Sequence, residues 1–181
     1  MNALKIAQAF IKELVAVDRA RSFSSVQANL PLPIAQEIYN WGLQHIPDQI
    51  LTGDGRENNI HTTIKFGLHI TDFTAVRDLF VNQKPINIVL GKITLFTSDD
   101  HDVVKIDVDS PELHVMHHMI GSSVETTDTH PDYHPHITIA YVKKGIGSPF
   151  DGLQDFEGRK VCLDSVLFSG KDNRRTIFRL I

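Results

Sequence analysis

One cysteine, Cys162, stands in the whole chain, so no internal disulfide can form and packing alone must hold the fold. Its place in the apolar run Val161-Cys162-Leu163 predicts a small core residue more than a nucleophile. Long hydrophobic runs are also missing. The apolar stretch from Leu4 to Val17 is interrupted by Lys5, Lys12 and Glu13, which denies it both a signal-peptide core and a membrane span. The expected setting is a reducing cytoplasm, with no membrane partner. Nor is positive charge in excess. At a net charge of −4 and a pI near 6.2, the chain lacks the basic surface that neutralises many phosphates, which excludes long duplex nucleic acid and leaves room for one or two phosphates.

What remains is ordinary for a soluble globular chain: 181 residues, 41% hydrophobic and 22% charged, enough for one domain with a real core and no metal staple. Residues 2–18 set Leu4, Ala7, Phe10 or Ile11, Leu14 and Val17 on one helical stripe, predicting an amphipathic N-terminal helix over 1–20 ahead of a single domain over 21–181. The apolar stripe of that helix could dock on the body or on another chain, so an oligomer formed through it is one expectation. Ser25 to Leu30 alternates as a strand. Pro31 and Pro33 then open a helix that reaches about His45.

Thr52 to Asn59 is dense in turn formers and reads as a loop, followed by a strand at His61, a helix near Thr74 to Phe80, and strands over Ile86–Phe96 and Val103–Val108. Ser110 caps a helix that runs to about Ile120, with Gly121 at its end. A polar loop over 126–135 delivers a strand at His136. Val161–Phe168 and Thr176–Leu180 read as two closing strands around the turn 170–173. Strands interrupted by single helices predict an α+β fold of two similar lobes, mainly antiparallel sheet with flanking helices, around a central cleft.

The two lobes each carry one pattern. Ile60-His61-Thr62-Thr63-Ile64-Lys65-Phe66 is echoed 75 positions on by Pro135-His136-Ile137-Thr138-Ile139-Ala140-Tyr141. On a strand, side chains alternate, so His61, Thr63 and Lys65 share one face, as do His136 and Thr138, while Ile64, Phe66, Ile137 and Ile139 point into a core. Two imidazoles, each with a hydroxyl beside it, suit a phosphodiester: one takes a proton, the other gives one, and the threonines hold the non-bridging oxygens. Lys65 is the cation that alternation adds to that face. A third His-x-Thr, His69-Ile70-Thr71, lacks strand alternation and reads as loop.

In these residues the chain resembles the 2H phosphoesterases, which include bacterial RNA 2',3'-cyclic phosphodiesterases (2'-5' RNA ligases) and phage anti-CBASS nucleases. The similarity runs from about Phe23 onward. It implies catalytic roles for His61 and His136, substrate binding by Thr63, Thr138, Lys65 and Tyr141, and no metal or other cofactor. The implied partner is a nucleotide, a cyclic oligonucleotide or an RNA end. Tyr141 is divided between two readings: strict alternation turns it to the core, whereas the family's frequent aromatic at that place implies base stacking.

Two alternatives follow from other features. Asp128, His130, Asp132, His134 and His136 form a dense cluster that could bind a transition metal, although the spacing matches no strong template. A module that binds a nucleotide or cyclic oligonucleotide without cutting it would use the same cleft. Two groups with pKa values near neutrality argue for turnover, since binding a phosphate needs only donors.

Overall fold

The computed structural model describes residues 22–128 and 132–181; the expected N-terminal helix, and His130 of the candidate metal cluster, lie outside them. Among the described residues nine strands form one sheet: β1 (Ser24–Asn29), β2 (Leu51–Arg56), β3 (His61–Leu68), β4 (Ile86–Thr97), β5 (His101–Asp109), β6 (His136–Lys143), β7 (Lys160–Leu163), β8 (Ser165–Ser169) and β9 (Arg175–Arg179). Three α-helices accompany them there: α1 (Leu32–His45), α2 (Thr74–Arg77) and α3 (Pro111–Ser123). No helix among the described residues is long and apolar enough to cross a membrane.

The strand order β7-β4-β5-β6-β3-β1-β8-β9 divides evenly between β6 and β3, four strands to each half. Every pairing is antiparallel. β7 and β8 lie near opposite ends of this order yet are joined by one residue, Asp164, so the sheet must curl into a half-barrel until its ends approach. The single strand expected over Val161–Phe168 is thus two strands, β7 on β4 and β8 on β1. Within β7, Leu163 is buried, and alternation turns Cys162 outward, so the cysteine is exposed and not the core residue its apolar neighbours predict.

The helices follow their sequence signals with one correction. α1 starts beside Pro31 and Pro33 and buries Ile34, Ile38 and Trp41. The Ser110 Oγ accepts from the Leu113 N–H (3.4 Å) and donates to the Asn87 carbonyl (2.8 Å), capping α3 and tying it to β4. Gly121 does not end α3, which continues to Ser123. Its place is a packing contact, because a Cβ there would lie 3.3 Å from the Lys65 side chain on β3. Gly42 plays the matching part in α1, where a Cβ would come within 2.9 Å of Ile139 on β6. The helix of each half therefore packs behind the histidine strand of the other.

The expected loop over 52–59 contains a strand instead. β2 pairs Leu51 with Val142 and Arg56 with Ala140, with an irregular register between them where Gly53, Asp54 and Gly55 lie. Turn-forming composition misleads because β6 offers a free edge there: β3 occupies only its start, through Thr62 and Ile137. Arg56 anchors the segment by donating to Asp48 (2.9 Å) and to the Ile46 carbonyl.

Candidate active site

The register that sets Thr62 opposite Ile137 places His61 beside Thr138 and Thr63 beside His136, on the face away from α1 and α3. All four are half-buried, whereas Thr62, Ile64, Ile137 and Ile139 on the other face are fully buried. One patch therefore holds both histidines and both threonines, related by a pseudo-twofold axis through the central strand pair. Each imidazole is held in the same way. His61 Nδ1–H donates to the carbonyl of Asn59, and His136 Nδ1–H donates to that of His134 (2.7 Å). A carbonyl can only accept, so Nδ1 carries the hydrogen and Nε2 is left for proton transfer.

Strict alternation fails just beyond each threonine, at the same place in both halves. Thr63 faces Gln27 but Lys65 faces Val26, the next residue of β1, so Ile64 is an extra residue in β3. Thr138 faces Lys105 but Ala140 faces Val104, so Ile139 is an extra residue in β6. Such a bulge turns the following side chains over. Lys65 consequently leaves the histidine face, contrary to the alternation reading: it is 3% exposed, beneath α3, and its Nζ donates to Asp128 (2.5 Å) and His117 Nε2 (3.2 Å). Phe66, expected in the core, is 45% exposed. Tyr141 likewise turns onto the face of His136, where it is half-buried and meets the His101 ring edge-on at 5.6 Å, so of the two readings the core placement is overturned. Burial, with Glu57 and Asp54 nearby, pushes the Tyr141 phenol up.

The segment that leads into β6 is pinned to the bulge of β3. Tyr133 donates its hydroxyl to the Thr63 carbonyl (2.9 Å) and stacks on His117 at 4.0 Å, and His117 Nδ1–H donates to the Ile64 carbonyl (2.7 Å). His117 Nε2 then accepts from Lys65, which requires a neutral ring. Burial lowers the His117 pKa, and the Lys65 and His114 charges add to that.

A cation does reach the histidine face, from a strand in which the sequence reading notes no charge. Lys105 on β5 lies opposite Thr138, is 4% exposed, and rests over the Phe96 ring at 4.2 Å. Its Nζ donates to Thr94 Oγ1 (2.6 Å) and to Asp107. Asp107 in turn faces His136 across the strand pair, and Phe96 meets the His136 ring edge-on at 4.8 Å. The signal that could have found Lys105 is a lone lysine amid the β-branched run Val103-Val104-Lys105-Ile106. Burial holds His136 below the ordinary histidine range, the Lys105 and His61 charges push the same way, and Asp107 and the His134 carbonyl oppose them. At neutral pH its Nε2 is therefore a free lone pair.

The sequence profile of the anti-CBASS protein Acb1 family matches residues 35–168, a span that contains both His-x-Thr strands. The chain belongs to the Acb1 family. No curated protein matches it. Among solved structures, TT0787 of Thermus thermophilus has the same fold with a TM-score of 0.59 and 13% identity, over 88% of this chain and 95% of that one. Escherichia coli LigT in its apo form follows at 0.56 and 16%, over 88% and 94%. LigT complexed with 3'-AMP gives 0.56 and 17%, over 87% and 94%. These neighbours are 2H phosphoesterases, and at such identities they show that the Acb1-family chain shares their fold.

Proposed function

We propose that this Acb1-family protein is a metal-independent phosphodiesterase that cleaves an RNA-type phosphodiester by two-histidine acid–base catalysis. The substrate is a 2',3'-cyclic phosphate or a small cyclic or 2'-5'-linked oligonucleotide. The observation that carries this reading is the register Thr62 to Ile137, which gathers His61, Thr63, His136 and Thr138 on one face with both Nε2 atoms uncommitted. His136, neutral at pH 7, takes the proton from the attacking hydroxyl or water as its oxygen bonds to phosphorus. The bond from phosphorus to the departing oxygen breaks, and that oxygen takes the proton from Nε2 of a protonated His61. Charge that builds on the non-bridging oxygens meets the Thr63 and Thr138 hydroxyls, with Lys105 beside them. Tyr141 and Phe66 flank the patch with ring faces suited to bases.

Related structures support a nucleotide ligand, since LigT has been solved with 3'-AMP, with ATP and with phosphate. The family's anti-CBASS description favours counter-defence as the setting. The test incubates the protein, with a strong chelator present, against 2',3'-cyclic nucleotides, 3'-5' cyclic dinucleotides and 2'-5' oligoadenylates, beside the His61→Ala/His136→Ala double variant. Cleavage by the wild type alone is the expected result. Ligand retained intact would make the site a binding module, and activity abolished by chelator would overturn the metal-independent mechanism.

A further inference from the structure

A groove of about 410 Å3 opens directly beside His61, and its lining differs in kind from the histidine patch. Its inner edge is Asn29 and Asn59. Asn29 faces His61 across the β1–β3 pair, and the Asn59 carbonyl holds the His61 Nδ1–H, so both touch the catalytic strand without entering the proton transfer. The outer edge is the first two turns of α1, with Leu32, Gln36 and Tyr39, and Asn58 closes one end. Such a volume falls within the roughly 300–1,000 Å3 typical of small-ligand sites.

Among the described residues, no lysine, arginine, aspartate or glutamate lines this groove. Among the described residues it therefore offers neither a phosphate nor a charged peptide a countercharge. What it presents is a set of neutral two-way hydrogen-bonding groups around apolar surface. Leu32 is 77% exposed, and Tyr39 is half-buried against the core. The Tyr39 hydroxyl and the side-chain amides of Asn58 and Asn59 have no hydrogen-bond partner among the described residues. Gln27 Nε2 donates to Asn29 Oδ1 at 3.4 Å, which engages the oxygen of that amide and leaves its NH2 group to the groove. A flat heterocycle with a polar edge matches this chemistry: ring faces against Leu32 and Tyr39, edge atoms to the amides.

We infer that the groove between Asn29, Asn58, Asn59 and the start of α1 is a nucleobase subsite, which seats the nucleoside attached to the scissile phosphate on its His61 side. The inference rests on the phosphodiesterase reading above and deepens it. The histidine patch recognises a phosphodiester of any sequence, whereas the groove selects by base and fixes which end of the substrate meets His61. Among the described residues the half around His136 is built differently, since Lys105 and Asp107 stand where Gln27 and Asn29 stand beside His61. Binding is therefore directional.

The test is a titration of the isotopically labelled wild-type chain with the four 5'-nucleoside monophosphates, followed by amide shifts, with ribose 5-phosphate as the control that lacks a base. Nucleotides should shift the amides of 29–39 and 58–59 as well as those of the histidine strands, and ribose 5-phosphate should shift the histidine strands alone. Tyr39→Ala and the exposed Asn58→Ala should each weaken nucleotide binding roughly tenfold and leave ribose 5-phosphate unaffected. Asn58→Ala covers the case in which Tyr39→Ala loosens α1. Shifts confined to the histidine strands, or equal binding of ribose 5-phosphate, would overturn the subsite even if the substrate panel is cleaved. Groove shifts in a protein that cleaves nothing would uphold the subsite and sink the catalytic reading instead.

Discussion

Lys105 stands opposite Thr138 across β5 and β6, and its Nζ is held over Phe96 at 4.2 Å by Thr94 and Asp107. A buried cation at that point acts on His136 from one strand away. Because the Lys105 charge opposes protonation of His136, Lys105→Met should raise the His136 pKa. Activity that needs neutral His136 is lost as pH falls through that pKa, so the acidic limb of kcat/KM should move to higher pH in the variant. An unmoved limb, read from pH–rate profiles of both proteins, would separate Lys105 from His136.

Removal of either imidazole should lower kcat by about 10²–10⁴-fold, the usual weight of a positioned acid or base. Thr63→Val and Thr138→Val retain the strand shape and remove only a hydroxyl, so each should cost roughly 10–100-fold in kcat/KM. Steady-state rates on whichever panel substrate is cleaved would check both. Equal losses from the two threonines would match their equivalent places about the Thr62–Ile137 pair.

Tyr133→Phe keeps the stack on His117 and deletes the donor to the Thr63 carbonyl. An unsatisfied carbonyl at a bulge should cost about 1–2 kcal/mol of stability, measurable by urea denaturation. A larger fall in kcat than in substrate affinity would show that the bulge also orients Thr63.

The native fold disfavours protonation of His117, through burial first and Lys65 next, and of His136 for the reasons given above. The unfolded chain binds a proton at each site near the ordinary histidine value of about 6.5, so between that value and the lowered native pKa it carries more protons than the native state. Stability should then decline as pH falls below about 6.5, and level off once the native histidines are also protonated. Thermal melts from pH 8 to pH 5 should show this decline, and His117→Gln, with no titrating ring, should lessen it.

Strand periodicity makes the two His-x-Thr faces legible, because period-2 alternation holds from His61 to Thr63 and from His136 to Thr138. It cannot reveal the bulges. Those arise where one step along β1 or β5 spans two along the strand it faces, a relation between distant segments. Hence alternation sets Lys65 on the wrong face and turns Phe66 and Tyr141 inward. Lys105 escapes notice for a similar reason: its strand is readable, but its neighbour is not. The helix signals, Pro33 and Ser110, are local, and both elements begin where they stand. β2 is hidden because its sequence is that of a turn, and only the free edge of β6 makes it a strand.

The one-residue join at Asp164 has a consequence for how the molecule is made. β8 must travel back past the whole of the second half to lie beside β1, which itself supports β3 and His61. Contacts so distant along the chain close late and slowly in folding. A growing polypeptide that has already emitted both histidine strands still lacks β8, the strand that covers the outer edge of β1. A fragment cut ahead of β8 should thus leave β1 uncovered and the His61 strand without its backing.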